Sequence, residues 1–150
     1  MKNSLFLLAV LLLASCTESF YIGKINGKDR KGQKHGLWVN YWDDEKTIPM
    51  TKYIYRHGEE SLWNKVYHYN GKLAIKFKPR GDRLRVKYFD EYRQLSHKGW
   101  ANFDITEEEI HYYWQGEWKY YNTYRKPVKS MFFKEGTPHL VVYHLNGNNN

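Results

Sequence analysis

The chain has 150 residues and a formal net charge of +8, which suits one domain of ordinary size with a basic surface. Its single cysteine, Cys16, excludes an internal disulfide and a zinc site built on several cysteines. No Walker loop, dinucleotide fingerprint, nucleophile elbow or zinc-hydrolase histidine motif occurs, so we predict a protein that is not an enzyme and has no cofactor or metal site.

The first sixteen residues are typical of a bacterial export signal. Lys2 precedes an apolar run over residues 5–14, which ends at Ser15 and Cys16. A helix needs about 20 apolar residues to span a bilayer, so this run is too short for a transmembrane anchor. Residues 13–16, Leu-Ala-Ser-Cys, resemble the bacterial lipobox, and the alternative is an ordinary secretory signal with a chance cysteine.

The lipobox resemblance implies that residues 1–15 are removed and that Cys16 is acylated, with palmitate as a typical acyl chain. Several acyl chains on one cysteine hold a protein firmly on a bilayer. We therefore expect an exported, membrane-anchored lipoprotein that contacts membrane lipid through Cys16. Thr17 is not acidic, and by analogy with Gram-negative sorting this favours the outer membrane.

Residues 16–34 are predicted to be the lipidated cysteine and a solvated tether, because glycines interrupt the segment and lysines and arginines keep it hydrated. Loss of Lys2 with the signal lowers the formal charge from +8 to +7. A basic surface favours an anionic partner. Outside the cytoplasm we expect lipopolysaccharide, an anionic glycan, phospholipid head groups or an acidic protein, and no nucleic acid. The alternative is that the charge only keeps the domain soluble.

Aromatic residues make up 18% of the chain and favour β-strands, because their rings pack well on a pleated surface. Beyond residue 34, short aromatic runs alternate with turn residues. Asn70-Gly71 predicts a type I′ turn in a hairpin that joins residues 63–69 to 72–78. A capping pattern at 106–109 predicts at most one helical turn. The predicted strands are 38–42, 52–56, 63–69, 83–89, 100–103, 110–114, 117–121, 128–133 and 140–144.

Glycines recur about every twenty residues from Gly36 to Gly136, which is typical of a repeat protein. The phrase Gly-x-Trp-x-x-Tyr occurs at 36–41 and at 116–121, and a Tyr-x-x-x-Gly-Lys-Leu phrase at 67–73. These phrases resemble the degenerate MORN repeats of bacterial YwqK-type antitoxin-repeat proteins, over residues 33–147.

The MORN resemblance implies successive antiparallel hairpins in one elongated, twisted sheet. We therefore predict an all-β fold, with a repeat domain over 35–147 and a disordered tail at 148–150.

Seven aromatic residues are candidates either for packing between repeats or for a wet binding surface. Exposed rings beside lysine and arginine suit glycans or peptides. The candidates are Trp38, Tyr41, Trp63, Tyr67, Trp100, Trp118 and Tyr121.

The function predicted from these features is non-catalytic: a membrane-anchored lipoprotein whose repeat surface binds a protein or a polymer of the cell envelope. One alternative is a glycan-processing hydrolase that uses Glu107–Glu109 and His111. Another is an antitoxin-like neutralising protein, as the family label suggests. An exported lipoprotein would not meet a cytoplasmic toxin, which counts against this last alternative.

Overall fold

A computed structural model describes residues 24–106 and 110–145. The predictions for the signal 1–15, for Cys16, for Glu107–Glu109 and for the tail 148–150 lie outside these residues. Within the described ranges, no helix has the length and apolar character needed to cross a bilayer.

The described part is all-β and forms one antiparallel sheet of ten strands, so the predicted fold class is confirmed. Nine strands follow one another in the order β1-β2-β4-β5-β6-β7-β8-β9-β10, and the short β3 pairs with β2. The strands are β1 (Gly36–Tyr41), β2 (Pro49–Arg56), β3 (Glu59–Glu60), β4 (Lys65–Tyr67), β5 (Leu73–Arg80), β6 (Arg83–Phe89), β7 (Leu95–Ile105), β8 (Ile110–Tyr121), β9 (Pro127–Lys134) and β10 (Thr137–Tyr143).

Successive strands lie about 4.8 Å apart, so the nine strands in series extend roughly 38 Å. Each strand is rotated by about 20–25° against its neighbour, so the direction in which a face points changes steadily along the sheet.

The connections alternate between two ends of the sheet. At the end that we call the upper end, the connections are 42–48, 68–72, 90–94 and 122–126. At the lower end, two-residue turns at 57–58, 81–82 and 135–136 join their strands directly. Residues on different hairpins are therefore brought together by their shared end of the sheet.

The hairpin predicted at Asn70-Gly71 is present, but the predicted type I′ turn is wrong. Gly71 has a φ of 75°, whereas Asn70 is not in the left-handed region. The amide of Gly71 donates to the His68 carbonyl at 2.9 Å, as in a type I turn followed by a left-handed residue. The side chain of Asn70 stabilises this form, because it accepts from the Lys72 amide at 3.0 Å and donates to the Glu91 carbonyl at 3.0 Å.

The hydrophobic core lies on one face of the sheet. Leu84 and Val86 of β6 are fully buried there. Successive residues of a strand point to opposite faces, so the cationic residues between them point away from the core. Trp118 is also fully buried, and its ring lies over Gly99 of the neighbouring strand. The two runs predicted at 110–114 and 117–121 form the single strand β8, whose pairing with β7 is irregular opposite Gly99.

Residues 24–34, assigned to the tether from the sequence, fold against β1. The Val39 amide donates to Asn26 Oδ1 at 2.6 Å, and Asn26 Nδ2 donates to the Val39 carbonyl at 3.0 Å. Trp38 Nε1 donates to the Gly27 carbonyl at 3.0 Å. The folded part therefore includes this segment, because its backbone and one asparagine supply partners to the edge strand despite its high charge.

Candidate binding face: a ladder of lysines

Six lysines from six neighbouring strands lie side by side across the sheet. Each is the direct partner of the next in the strand register, from β2 through β4, β5, β6 and β7 to β8. In sheet order the residues are Lys52, Lys65, Lys76, Lys87, Lys98 and Lys119. We call this row the lysine ladder.

All six ammonium groups project from the same face, because directly paired residues of antiparallel strands point to the same side. That face is opposite the core, since Lys87 alternates with the buried Val86. Arg85 and Lys78, which pair with each other, lie beside the ladder on the same face. Strands β2 and β4–β8 contain only two acidic residues, Asp104 and Glu117.

The positive charges of the ladder repel one another at close range. Partial burial and the charges of Arg85, Lys98, Lys76 and Lys78 lower the pKa of Lys87 below its usual value of 10.5. Glu117 forms one ion pair on this face, with Lys119 at 3.4 Å. The face therefore presents positive charge that a single carboxylate does not neutralise.

Four of the aromatic residues predicted as surface candidates lie against these cations. Lys65 and Lys76 place their Nζ atoms 4.6 Å and 5.9 Å from the ring centre of Trp63. On this face, three further contacts join Lys52 to Tyr67 at 5.1 Å, Arg83 to Trp100 at 4.8 Å and Lys98 to Tyr121 at 4.9 Å. The rings hold the lysine and arginine side chains in place at the surface.

Two depressions lie along the ladder. One is lined only by cationic side chains, those of Lys76, Lys78, Arg80, Arg85 and Lys87. The other combines cations with two rings and one acid, and its lining includes Arg85, Lys98, Trp100, Glu117, Lys119 and Tyr121. Both have the chemistry to hold anionic groups.

Of the remaining surface candidates, Trp38 and Trp118 lie on the opposite face, and Tyr41 lies on β1, outside the strands that carry the ladder. Trp38 lies on the opposite face, where its ring meets Tyr55 edge-on at 5.9 Å. Trp118 is fully buried and donates from Nε1 to the Trp100 carbonyl at 2.9 Å, so it serves packing between strands. Tyr41 lies at the upper end of β1, paired with Pro49.

Two histidines that are far apart in the sequence meet at the lower end. His57 Nδ1 lies 2.8 Å from Asp29 Oδ2, and the ring of His35 lies 4.8 Å from that of His57. These three side chains are close enough to share a metal ion. Cationic Lys28, Arg30 and Lys31 line the same depression and oppose cation binding, so we assign the cluster to holding loop 29–33 against turn 57–58.

His111, a residue of the predicted hydrolase alternative, is exposed at the start of β8, with its ring 6.1 Å from that of Tyr113. Its proposed partners Glu107–Glu109 lie outside the described residues.

Sequence reasoning found the basic character of β6 but missed the ladder. The signal was available, because Lys65, Lys76, Lys87 and Lys98 follow one another at constant intervals of eleven residues. In a row of hairpins with a period near twenty-two residues, such an interval returns the chain to the same level on each strand.

No protein-family model, curated protein or solved structure matches this chain. The resemblance to MORN repeats therefore stays a prediction.

Proposed function

We propose that this protein is a non-catalytic, lipid-anchored protein of the bacterial envelope whose lysine ladder binds a linear anionic polysaccharide. The observation that carries the proposal is the register that places six lysines from six strands in one row.

The register argues for a ligand because like charges placed directly opposite one another destabilise a sheet. All six lysines are half-buried, so their stems pack along the sheet while their ammonium groups reach solvent. A row that opposes folding in this way favours a role in which an anion relieves the repulsion. A basic surface that served solubility alone would disperse its charges.

The shape of the sheet favours a chain-like ligand. Six twisted strands turn the ladder through roughly 100–125° from Lys52 to Lys119, at about 20–25° per strand. A flexible polyanion can follow such a path, whereas a flat bilayer of anionic head groups meets only part of it. The neighbouring rings of Trp63, Trp100 and Tyr121 hold cationic side chains in place along this path.

The test measures binding of polygalacturonate, a linear polymer of acidic sugars, to the full-length protein in detergent micelles. Three charges are removed from the ladder in the variant K76Q/K87Q/K98Q. The control K24Q/K31Q/K126Q loses the same charge from exposed positions away from the ladder.

We expect the ladder variant to bind about tenfold more weakly, because three partly exposed ion pairs together contribute about 1–2 kcal/mol. Wild-type binding should weaken as salt is added, since exposed charges are screened. Equal losses in the ladder variant and the control, or binding that does not respond to salt, would contradict the proposal.

The anchor is tested separately by cell fractionation. The variant Cys16→Ala should leave the membrane fraction, while a neighbouring change, Thr17→Ala, should not alter it. Retention of Cys16→Ala on the membrane would contradict lipid attachment at Cys16 but not the role of the ladder.

A further inference from the structure

Three loops at the upper end each carry a strongly exposed tyrosine. The exposed fractions are 68% for Tyr69 in loop 68–72, 78% for Tyr92 in loop 90–94 and 83% for Tyr124 in loop 122–126. Trp42, exposed by 47%, lies beside the first of them, with ring centres 6.3 Å apart. We call Tyr69, Tyr92 and Tyr124 the tyrosine row.

Exposed apolar surface is concentrated at this end of the molecule. Tyr143 and Leu145 also lie there, so the upper end holds six of the eleven large exposed hydrophobic residues in the described ranges. At the lower end Ile105 is the one described residue of this kind. The asymmetry indicates a binding surface, because scattered exposed apolar residues would have no preference for one end.

The loops that carry the row are held in shape by their own side chains. Asp90 Oδ1 accepts from the amides of Tyr92 and Gln94 at 3.0 Å and 2.8 Å. Asn122 Oδ1 accepts from the amides of Tyr124 and Lys126, both at 3.0 Å. Preorganised loops lose little conformational entropy when a ligand binds to them.

Neighbouring loops of the row are also joined to each other. Asn70 Nδ2 donates to the Glu91 carbonyl at 3.0 Å, and Lys72 Nζ lies 5.7 Å from the ring centre of Tyr92. The first two tyrosines of the row therefore belong to one connected surface.

The upper end differs from the lysine ladder in its charge. Its four connections together contain five acidic and five basic residues, so their formal charges cancel, although the three loops of the row by themselves contain two acidic and four basic residues. The carboxylates of Asp43 and Asp90 accept hydrogen bonds from the backbone of their own loops. The upper end as a whole is therefore close to neutral, which suits an uncharged ligand with hydroxyl and amide groups.

The spacing of the row suits an extended chain of sugars. Successive loops are separated by two strands, which is about 10 Å, and two sugar units of an extended β-linked glycan cover a comparable length. A tyrosine ring offers an apolar face to the C–H groups of a pyranose, while its hydroxyl group remains available for hydrogen bonds. The twist rotates successive loops by about 40–50°, so a chain can follow the row but a flat bilayer cannot contact all of it.

From these observations we infer that the tyrosine row is a second binding site, separate from the lysine ladder, for an uncharged, extended β-linked polysaccharide. The inference does not depend on the ladder or on the lipid anchor.

The test is calorimetric titration of the full-length protein in micelles with two uncharged probes, the β-1,4-linked hexamers of N-acetylglucosamine and of glucose. The variant is Y69A/Y92A/Y124A, and Ile105→Ala is the control for loss of an exposed apolar residue at the other end. We expect at least one hexamer to bind with little dependence on salt. We also expect an affinity loss of at least tenfold in the tyrosine variant, with wild-type affinity in Ile105→Ala and in K76Q/K87Q/K98Q.

The tyrosine variant should unfold at the wild-type temperature, because the three side chains are exposed. Binding of neither hexamer, or equal binding by wild type and the tyrosine variant, would overturn the inference. Binding to phosphatidylcholine vesicles is compared in a Cys16→Ala background with and without the three tyrosine changes. If these changes abolish vesicle binding but leave hexamer binding unaltered, the inference is overturned in favour of a membrane contact. Polygalacturonate binding reports on the ladder alone, so failure of either proposal is recognised independently.

Discussion

At the scale of single residues, Lys87 shows a conflict between folding and the proposed function. It lies in the middle of the ladder between Lys76 and Lys98, and its lowered pKa reports that its environment disfavours the charged form. A group whose charged form is disfavoured in the folded state reduces stability at every pH at which it carries a proton. The residue is therefore explained better by binding than by stability.

Replacement of Lys87 by Gln should raise the free energy of unfolding at neutral pH by about 0.5 kcal/mol, because like-charged cross-strand neighbours are then relieved. The same variant should bind polygalacturonate more weakly. Urea denaturation and a binding titration on one preparation measure both effects. A Lys87→Gln protein that is less stable than wild type would contradict this account of the ladder, and Lys126→Gln is the matched control.

His97 occupies the opposite face and responds to pH in the acidic range. Its ring is stacked between Tyr88 and Tyr120, at 4.3 Å and 4.9 Å, and burial together with the charge of Lys129 lowers its pKa from 6.5 to about 4. The unfolded chain takes up a proton below pH 6.5, whereas the folded chain does so only near pH 4. The contribution of His97 to the free energy of unfolding is therefore fully present above pH 6.5, and it is lost progressively as the pH falls towards 4.

Thermal unfolding between pH 7 and pH 4 should show a decrease in melting temperature that is smaller in His97→Phe than in wild type. Phenylalanine keeps a ring between the two tyrosines but cannot take up a proton. His111→Phe, at an exposed histidine, is the control for the replacement of a histidine by phenylalanine. Identical slopes in His97→Phe and wild type would show that another group governs the acid response.

At the scale of elements, neighbouring strands β7 and β8 are joined by a glycine and a tryptophan. A Cβ atom at Gly99 would lie 2.4 Å from Cδ2 of Trp118, whose ring is fully buried. Gly99 does not have a positive φ, so its role is the close approach of the ring. The ring of Trp114 stacks on the ring of Trp118, with the two ring centres 3.9 Å apart. Trp118 therefore has the first of the two roles predicted for the aromatic candidates, which is packing between neighbouring repeats.

Gly99→Ala should lower the free energy of unfolding by about 3 kcal/mol, at the upper limit of ordinary overpacking, because a buried ring has nowhere to move. Chemical denaturation measures the loss. In the double variant Gly99→Ala with Trp118→Leu, the smaller side chain makes room, so the two changes together should cost less than their separate costs added. Additive costs would contradict the direct contact.

At the scale of the whole molecule, lysines that recur along the sequence lie side by side across neighbouring strands of the sheet. The ladder crosses six strands and therefore five strand spacings, or about 24 Å. A ligand that engages the whole ladder has to reach that far. Each additional contact between the same polysaccharide chain and the ladder raises the affinity, because it forms within a complex that the first contact has already made.

Affinity for oligogalacturonates of defined length should rise with each added unit until the oligomer covers the ladder, and should then level off. Fluorescence titration with a series of oligomers measures this dependence. For K52Q/K119Q, which shortens the ladder at both ends, the rise should level off at a shorter oligomer. Equal affinities for a dimer and a long oligomer, compared per binding site, would indicate a single local anion site.

Local patterns were sufficient to predict the all-β class, the succession of hairpins and most strand positions. Alternation of residues on β6 and the turn at Asn70-Gly71 depend on neighbours in the chain, and such patterns are visible in the sequence. The predicted turn type is wrong because loop 68–72 has the same turn as loops 90–94 and 122–126, and its additional bond from Asn70 to Glu91 of the next loop is not visible in the local sequence. The segment 24–34 was assigned to the tether because its charge is visible but its hydrogen bonds to β1 are not.

Composition and period by themselves determined that the chain forms strands, that it is basic and that aromatic rings carry its packing. Only the tertiary structure decided which rings are buried, as Trp118 is, and which cations stand in one row, as Lys76, Lys87 and Lys98 do. The physical reason is strand register: a shift of one residue would move every side chain of a strand to the other face, and register is set by pairing between segments that are distant in sequence.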